Sequence, residues 1–251
     1  MAGNKIIRIE NLTKSFGEKK VLDDVSFDVL EGENLIVFGR SGTGKSVLLK
    51  SIVRLLKPDA GAIFFEDENI LTMKEKKLLE TRKQIGFLFQ SGALYDSMSV
   101  RDNLAFPLRK LTKLPAEKIN DKIEKTLELV DLSEAIDKMP AELSGGMRKR
   151  IGLARTIITE PRVILYDEPT TGLDPITSKE ISSLILSLQR KLKTTSIVVT
   201  HDLICAQIIS DRVIFLKEGK LYIEGKLETI KEKDDKFIKN FFSNEILTEA
   251  E

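Results

Sequence analysis

A glycine-rich loop constrains the fold of this chain more than any other feature of its sequence. The loop follows Leu35 to Phe38, a continuous apolar run typical of a buried strand. Residues 39–46 read Gly-Arg-Ser-Gly-Thr-Gly-Lys-Ser and match the phosphate-binding pattern G-x-x-x-x-G-K-S/T. A helical stretch from Val47 to Leu56 comes next, and Pro58 is expected to end it. This order of strand, loop and helix predicts a sheet covered by helices, the α/β class.

The loop residues predict a binding site for a nucleoside triphosphate. Three glycines let the backbone wrap around phosphate oxygens, and the start of the following helix adds positive charge. Lys45 can reach the β- and γ-phosphates, and the hydroxyl of Ser46 can bind Mg²⁺. The alternative is a glycine-rich turn with a chance lysine, which the position between strand and helix disfavours. The predicted ATP-binding residues are Gly39, Arg40, Ser41, Gly42, Thr43, Gly44, Lys45, Ser46 and Val47.

Two acidic residues follow a second apolar run, Val163 to Tyr166. A buried strand that ends in a carboxylate places Asp167 at the carboxyl edge of the sheet, near the phosphate loop, where it would hold Mg²⁺. Glu168 is the next residue and can orient or deprotonate the attacking water. The alternative is a pair of solvated acids at a strand end. Together with the phosphate loop, the pair predicts hydrolysis of the nucleotide.

His201 is the only histidine in the sequence, and it follows the apolar run Ile197 to Thr200. A lone histidine is most often structural or merely exposed. Its place at the carboxyl end of a strand predicts instead a polar contact to the γ-phosphate, with Asp202 beside it.

A serine and two glycines precede the helical pattern that runs from Met147 to Ile158. Ser144 is a good helix cap, and Gly145 and Gly146 leave backbone amides open to an anion. A capped helix without a ligand is the alternative for so short a string.

Composition argues against several classes of partner, although a local basic patch stays an open alternative. Lys and Arg number 40 against 39 Asp and Glu, so the net charge of +1 gives no global reason to expect nucleic acid or an anionic membrane as partner. One cysteine, Cys205, excludes an internal disulfide framework and fits a reducing compartment. The sequence shows neither a spanning apolar run nor a signal peptide, so any membrane role is expected to run through a partner.

Charge-rich helical patterns dominate residues 97–160, which we interpret as a helical subdomain inserted into the sheet. Apolar residues recur there at helical spacing: Ile119, Ile123, Leu127 and Val130. The predicted core comprises residues 1–96 and 161–225. Within it, Val213 to Leu216, a Glu218-Gly219 turn and Leu221 to Ile223 predict a hairpin. Residues 226–251 are predicted to form a C-terminal helix and tail.

The order of the motifs resembles that of the ATP-binding-cassette (ABC) ATPases over nearly the whole chain. The shared motifs are the phosphate loop, Gln90, residues 143–146, Asp167-Glu168, residues 172–174 and His201. The resemblance implies a P-loop (RecA-like) core with an N-terminal antiparallel β region and an inserted helical subdomain. It also implies that ATP and Mg²⁺ are the cofactors.

The resemblance further implies a role for individual residues. Phe16, which on its own would more often be core, would stack on adenine, and Asp174 would lie in a loop crossing a dimer interface. Two cassettes would work face to face, each ATP being closed over by residues of the second copy, namely Ser144, Gly145 and Gly146. The implied catalytic residues are Glu168, His201 and Gln90, of which Gln90 would also sense a transmembrane partner. The implied metal ligands are Ser46, Gln90 and Asp167.

A narrower resemblance is to the ATPase of Mla-type (MCE-protein) lipid transporters. Residues 39–50, 89–98 and 143–150 carry it, including Met147 where ABC proteins generally have glutamine. It implies phospholipid movement between bacterial membranes, with a permease and an MCE lipid-binding protein as partners. The ATPase would then sit at the cytoplasmic face of the inner membrane, held there by the permease. Residues 243–251 are short and polar, so a long partner-binding tail is not expected.

Two segments allow more than one interpretation. Ser91 to Pro107 mixes apolar and small residues, and it predicts either ordinary packing or the rim of a groove that receives a permease helix. The amphipathic stretch Leu227 to Phe242 is expected to pack on its own domain. A membrane-surface helix is the weaker alternative, since acidic residues dilute its basic face.

Two other functions compete with a transporter motor. A soluble ABC ATPase acting on the ribosome or nucleic acid would be expected to carry two cassettes or a long coiled-coil insertion, and the sequence has neither. A regulatory binder without catalysis would not require Lys45, Glu168 and His201 together.

Overall fold

The computed structural model describes residues 3–40 and 42–248, so the predicted ligand Ser41 and residues 249–251 of the predicted tail lie outside the described residues. The strands are β1 (Lys5–Phe16), β2 (Lys19–Leu30), β3 (Asn34–Phe38), β4 (Ala60–Phe65), β5 (Glu68–Asn69), β6 (Ile85–Leu88), β7 (Val163–Asp167), β8 (Thr195–Val199), β9 (Arg212–Lys217) and β10 (Lys220–Gly225). The α-helices are α1 (Lys45–Ile52), α2 (Glu75–Lys83), α3 (Val100–Leu111), α4 (Ala116–Leu129), α5 (Gly145–Ile157), α6 (Pro175–Leu192), α7 (Leu203–Ile209), α8 (Leu227–Lys231) and α9 (Lys236–Thr248). No helix within these described ranges is long and apolar enough to cross a membrane.

The chain divides into two compact units, residues 1–71 with 198–251 and residues 72–197. The first unit contains an antiparallel sheet in the order β2-β1-β4-β5. Ile9 on β1 lies opposite Phe27 and Ile63 on the neighbouring strands, and all three side chains are buried. Alternation of buried and exposed residues along β2 gives the sheet one apolar face. The predicted N-terminal antiparallel region is therefore confirmed.

The first unit contains a second group of strands, and the phosphate loop follows one of them, β3. These are ordered β10-β9-β3, followed by the last residues of β8. All five residues of β3 are buried, and β3 runs parallel to β9, with Phe38 opposite Phe215. Strands β9 and β10 form the predicted hairpin, in which Glu218 and Gly219 both have positive φ, at 52° and 79°. Two successive left-handed residues are the signature of a type I′ turn.

Helix α1 is shorter than predicted. It ends at Ile52, whereas the apolar pattern continued to Leu56. Arg54 adopts a left-handed φ of 51°, and the carbonyl oxygen of Lys50 accepts hydrogen bonds from the amides of both Leu55 and Leu56. These hydrogen bonds pair the Lys50 carbonyl at the end of the helix, and the chain turns away before Pro58.

The single amphipathic helix predicted for the tail is also wrong, because the structure has two helices there, α8 and α9. The carboxylate of Asp235 accepts a hydrogen bond from the amide of Ile238 and so starts a new helix. Phe241 of α9 packs on Phe38 and Phe215, with ring centroids 5.4 and 5.1 Å apart. The prediction that residues 227–242 pack on their own domain is thus confirmed.

In the second unit, two parallel strands carry a layer of helices. Strand β7 lies next to β6, with Ile85 opposite Val163, and the start of β8 follows β7. Helices α3, α4 and α5 pack against one another through buried side chains such as Ile123, Leu127 and Ile151. The inserted helical part is therefore present, while its predicted limits at 97 and 160 stay a prediction.

Candidate functional site

The phosphate loop of the first unit is a turn that only glycine could form at its two ends. A Cβ atom on Gly39 would lie 2.5 Å from the hydroxyl oxygen of Thr43 and 2.9 Å from the carbonyl oxygen of Leu216. Gly44 has a φ of 96°, and a Cβ there would lie 2.6 Å from the carbonyl oxygen of Val21 on β2. Separations below 3.0 Å cannot be accommodated against backbone atoms, so these glycines permit the close packing of the loop.

Lys45 is the first residue of α1, and its side chain folds back over the loop that precedes it. The amine donates a hydrogen bond to the carbonyl oxygen of Gly39 at 2.6 Å and a longer one to Arg40 at 3.3 Å. Only 7% of Lys45 is exposed. The loop thus holds a buried cation at the start of a helix whose first turn has no acidic side chain, an arrangement that favours a bound anion.

His201 follows the end of strand β8, next to the end of strand β3, where the phosphate loop begins. The amide of Thr200 donates to the carbonyl oxygen of Val37 at 3.3 Å, which brings the end of β8 next to the end of β3. His201 is exposed, and the carboxylate of Asp202 accepts from the amide of Cys205 and caps α7. Asp202 therefore has a structural role, while the contact of His201 with a phosphate stays a prediction.

Phe16 ends β1 as one of the exposed large apolar residues of the structure. Half of its surface is accessible, and the amine of Lys14 lies 5.4 Å from its ring centroid. An ordinary core role is therefore wrong for Phe16. An accessible aromatic ring can stack on a base, and the stacking of Phe16 on adenine stays a prediction.

In the second unit, Asp167 and Glu168 lie where buried strand β7 ends. Asp167 is 6% exposed, and Glu168 is half-buried with a φ of 51°. The left-handed region costs a non-glycine residue about 1 kcal/mol and re-aims its side chain away from the strand direction. The hydroxyl of Thr171 donates to Oε2 of Glu168 at 3.3 Å. A strained backbone thus sets the direction of the predicted base.

Gln90 and Glu168 extend from matching points of neighbouring strands. Leu88 on β6 lies opposite Tyr166 on β7, and each predicted residue follows its strand residue by two positions. The amine of Lys149 on α5 donates to the carbonyl oxygen of Gln90 at 2.5 Å and to that of Glu168 at 3.4 Å. Lys149 lies within residues 143–150, which carry the narrower resemblance, but the motifs gave it no role of its own. Nothing local distinguishes it among 40 basic residues, because only its burial inside the fold marks it.

Ser144 caps helix α5 as predicted. Its side-chain oxygen accepts a hydrogen bond from the amide of Met147 at 3.2 Å, which leaves the hydroxyl hydrogen able to donate elsewhere. Ser144 and Gly145 are exposed and Gly146 is half-buried. The turn therefore presents the start of α5 to the surface of the unit.

Asp174 lies close to this turn. Its carboxylate caps α6 by accepting from the amides of Ile176 and Thr177, and from the hydroxyl of Thr177 at 2.6 Å. The hydrogen bond from the Thr177 side chain is the main cause that lowers the pKa of Asp174 below its ordinary value. A Cβ on Gly146 would lie 2.8 Å from the methyl group of Thr177, so the serine–glycine turn and the Asp174 cap are in contact.

The predicted metal ligands are oxygen donors, the type that Mg²⁺ prefers. They are the hydroxyl of Ser46, the side-chain carbonyl of Gln90 and the carboxylate of Asp167. Within residues 3–40 and 42–248, no group of three His, Cys, Asp or Glu side chains could hold a metal ion. A magnesium ion bound through one carboxylate, water and phosphate oxygens needs no such group, so the donor set fits Mg²⁺.

The sequence profile of one family, described as ABC transporter, matches residues 22–171. The matched span is more than half of the chain and contains the phosphate loop, Gln90, the serine–glycine turn and the acidic pair. The chain belongs to the ABC transporter family. It is an ABC ATPase, and the fold, the enzyme class and the use of ATP predicted from the motifs are confirmed.

Two curated relatives are equally similar to this cassette in identity. The intermembrane phospholipid transport system ATP-binding protein MlaF of Haemophilus influenzae is 40% identical over 96% of this chain and 91% of its own length. The protein named “Probable ribonucleotide transport ATP-binding protein mkl” of Mycobacterium leprae is 40% identical over 94% of this chain and 68% of its own length.

A solved structure gives the corresponding likeness in three dimensions. The ATP-binding cassette MJ0796, in a dimeric post-hydrolysis state bound to ADP and Pi, superposes with a TM-score of 0.80 at 31% identity. The match covers 88% of this cassette and 98% of MJ0796.

Proposed function

We propose that this ABC ATPase is the ATP-hydrolysing subunit of a transporter that moves phospholipid between bacterial membranes. The likeness to MlaF along 91% of that protein carries the proposal. The residues of the narrower resemblance, among them Met147 and residues 89–98, support it. The names of the MlaF and mkl relatives, both transport ATP-binding proteins, favour a transporter subunit over an ATPase that acts on ribosomes or nucleic acid.

The cassette is proposed to hydrolyse ATP as a head-to-tail pair of copies. Lys45 would hold the β- and γ-phosphates, and the exposed turn at Ser144 and Gly145 would close over the nucleotide of the second copy. The cap that Asp174 forms on α6 supports a place for this residue at the interface, since it adjoins the same turn. The dimeric state of MJ0796 also supports a pair.

Within each nucleotide site, the proposed roles follow the chemistry of the side chains. Glu168 would activate the water, His201 would contact the γ-phosphate, and Phe16 would stack on adenine. Mg²⁺, proposed to be held by Ser46, Gln90 and Asp167, would neutralise charge on the phosphate oxygens.

A groove in the second unit is proposed to receive a helix of the permease. It has a volume of about 230 Å³, and its lining residues include Phe87, Phe89, Pro107 and Leu111. Tyr95 and Leu111 are exposed apolar residues at 42% and 40% accessibility. Arg155 also lines the groove, and its Nε atom is buried and makes no hydrogen bond to any residue that the structure describes.

The remaining proposals concern partners and place in the cell. An MCE-type lipid-binding protein and a permease are the proposed partners, as in the subgroup that this chain resembles. The ATPase would be peripheral, attached through the groove to the permease at the cytoplasmic face of the inner membrane.

Replacement of the proposed base tests the ATPase mechanism. Glu168→Gln is expected to lower turnover by at least about 100-fold while ATP still binds, because only the water-activating carboxylate is lost. Light scattering should then show an ATP-dependent dimer. For the wild type, the hydrolysis rate per subunit should rise steeply with protein concentration. Glu160→Gln, at an exposed glutamate paired with Lys122, is the matched control. Turnover that persists in Glu168→Gln would remove Glu168 as the base.

Reconstitution tests the transported substrate. The ATPase is assembled with its permease and lipid-binding protein, and transfer of a fluorescent phospholipid between vesicles is followed. We expect transfer with ATP and none with the Glu168→Gln subunit. A complex that hydrolyses ATP but moves no phospholipid would overturn the lipid assignment and leave the ATPase assignment standing.

A further inference from the structure

Lys149 is a buried cation in the part of α5 that follows the serine–glycine turn. Only 7% of it is exposed, although lysine is among the residues that proteins most rarely bury. Burial is the main cause that lowers the pKa of Lys149, and the charge of Glu168 opposes this shift. A buried ammonium group persists only where hydrogen bonds replace its lost hydration.

The partners of Lys149 are the main-chain carbonyls of two residues with proposed roles in hydrolysis. Its amine donates to Gln90 O at 2.5 Å and to Glu168 O at 3.4 Å. Hydrogen bonds from a charged donor are about twice as strong as those between neutral groups. One side chain therefore joins the main chain at Gln90 to the main chain at Glu168.

This bridge lies just beyond the paired strands. Strand β6 ends at Leu88 and β7 at Asp167, so Gln90 and Glu168 both follow the regular ladder of the sheet. Glu168 also adopts its left-handed φ of 51°, a conformation that the surroundings must hold in place. The hydrogen bond from Lys149 to the Glu168 carbonyl holds the main chain of this left-handed residue.

Helix α5 is itself anchored to the segment that follows Gln90. A Cβ on Gly152 would lie 3.0 Å from the Cα of Gly92, and the guanidinium of Arg155 donates to Ala93 O at 2.5 Å. Lys149, Gly152 and Arg155 are spaced by three residues and lie on one side of the helix. The amine of Lys149 is thus held at a fixed position relative to Gln90.

We infer that Lys149 is a positioning residue for ATP hydrolysis, whose ammonium group fixes the Glu168 main chain relative to that of Gln90. It does not touch the nucleotide. Its effect passes through the direction of the Glu168 carboxylate, so the inference rests on the proposed role of Glu168 as the base.

The test compares Lys149→Met with Lys149→Arg in the full-length protein. Methionine has a similar length but cannot donate, so kcat is expected to fall about 10- to 100-fold. The KM and Kd for ATP should stay within about threefold, because the phosphate loop is untouched. Arginine can donate to both carbonyls, so Lys149→Arg is expected to recover kcat to within about threefold of wild type. Lys125→Met, the same exchange at an exposed lysine of α4, is the control.

A double-variant experiment separates positioning from a general structural role. If Lys149 acts through Glu168, Lys149→Met should slow single-turnover hydrolysis no further in a Glu168→Gln background. If the effects of Lys149→Met and Glu168→Gln on the single-turnover rate were additive, the inference would be overturned. The same holds if Lys149→Met lowered kcat, ATP affinity and melting temperature together and Lys149→Arg restored none of them. Wild-type kcat in Lys149→Met would also overturn it.

The comparison remains decisive if Lys149→Met does not fold. Lys149→Gln is then used, because its shorter neutral amide cannot reach both carbonyls; a reduced kcat with unchanged Kd is expected, and a full rate would overturn the inference. Absence of hydrolysis by the wild-type protein and its assembled transporter would instead contradict the proposed function.

Discussion

The amine of Lys45 donates a hydrogen bond to the carbonyl oxygen of Gly39, six residues earlier, at 2.6 Å. This bond closes the phosphate loop on itself around a buried cation. A nucleotide phosphate is a stronger acceptor than a neutral carbonyl, so the amine can exchange one partner for the other.

Lys45→Met should therefore remove a charge-assisted bond to the nucleotide. We expect ATP affinity to fall by about 3 kcal/mol, roughly a hundredfold, in a titration with fluorescent nucleotide. Lys50→Met is the control, because Lys50 is an exposed lysine of the same helix. ATP affinity of Lys45→Met within threefold of wild type would contradict the predicted phosphate contact.

The fold was predictable wherever a sequence pattern acts locally. The buried run of β3 and the Glu218-Gly219 turn each predicted the observed element, because burial and turn conformation depend on neighbouring residues. The end of α1 was not predictable in this way. It depends on Arg54 adopting a left-handed conformation and on the Lys50 carbonyl accepting two amides, which an apolar pattern does not encode.

The candidate site shows the same division. Its glycines, acids and serine are predicted from motifs, because each of these residue types suits one chemical role at a fixed spacing. Lys149 acts through position alone, and its partners lie 59 and 19 residues away in sequence. The left-handed φ of Glu168 is likewise a product of the folded unit, since glutamate does not favour it.

Gly145 and Gly146 should respond differently to alanine. A Cβ on Gly145 would lie 3.6 Å from Leu173, an ordinary contact, whereas one on Gly146 would lie 2.8 Å from the Thr177 methyl group. We expect Gly145→Ala to change the free energy of unfolding little and Gly146→Ala to cost about 1–2 kcal/mol in urea denaturation. Thr177→Ser removes that methyl group, so it should relieve most of the cost in the double variant. An unrelieved loss would show that the steric explanation is wrong.

Asp174 should make the acid stability of the chain depend on Thr177. Its pKa is lowered in the folded protein, first by the Thr177 hydroxyl. A carboxylate with a lowered pKa stabilises the fold above its unfolded pKa and loses that effect as pH falls through its folded pKa. The melting-temperature difference between wild type and Asp174→Asn should therefore be larger at pH 7 than below about pH 4. In an NMR titration, Thr177→Val should raise the pKa of Asp174. A pH-independent difference in melting temperature would contradict this account.

The Arg212–Glu33 ion pair should contribute more to stability than the exposed ion pairs. Nε and one terminal nitrogen of Arg212 donate to the two carboxylate oxygens of Glu33 at 2.7 and 3.0 Å, and the Arg212 side chain also donates to the carbonyl oxygen of Asp28. The side chains of Arg212 and Glu33 are 23% and 8% exposed, so Arg212→Leu leaves a buried carboxylate without its main cation. We expect a loss of about 2–3 kcal/mol in urea denaturation, given the remaining solvent access.

Two comparisons check the origin of that loss. Glu33→Gln combined with Arg212→Leu should recover part of it, because no unpaired charge then remains buried. Arg101→Leu breaks a pair whose side chains are 35% and 76% exposed, so it should cost less than about 1 kcal/mol. If Arg212→Leu and Arg101→Leu destabilised the protein equally, the burial of the Arg212–Glu33 pair would have no energetic consequence.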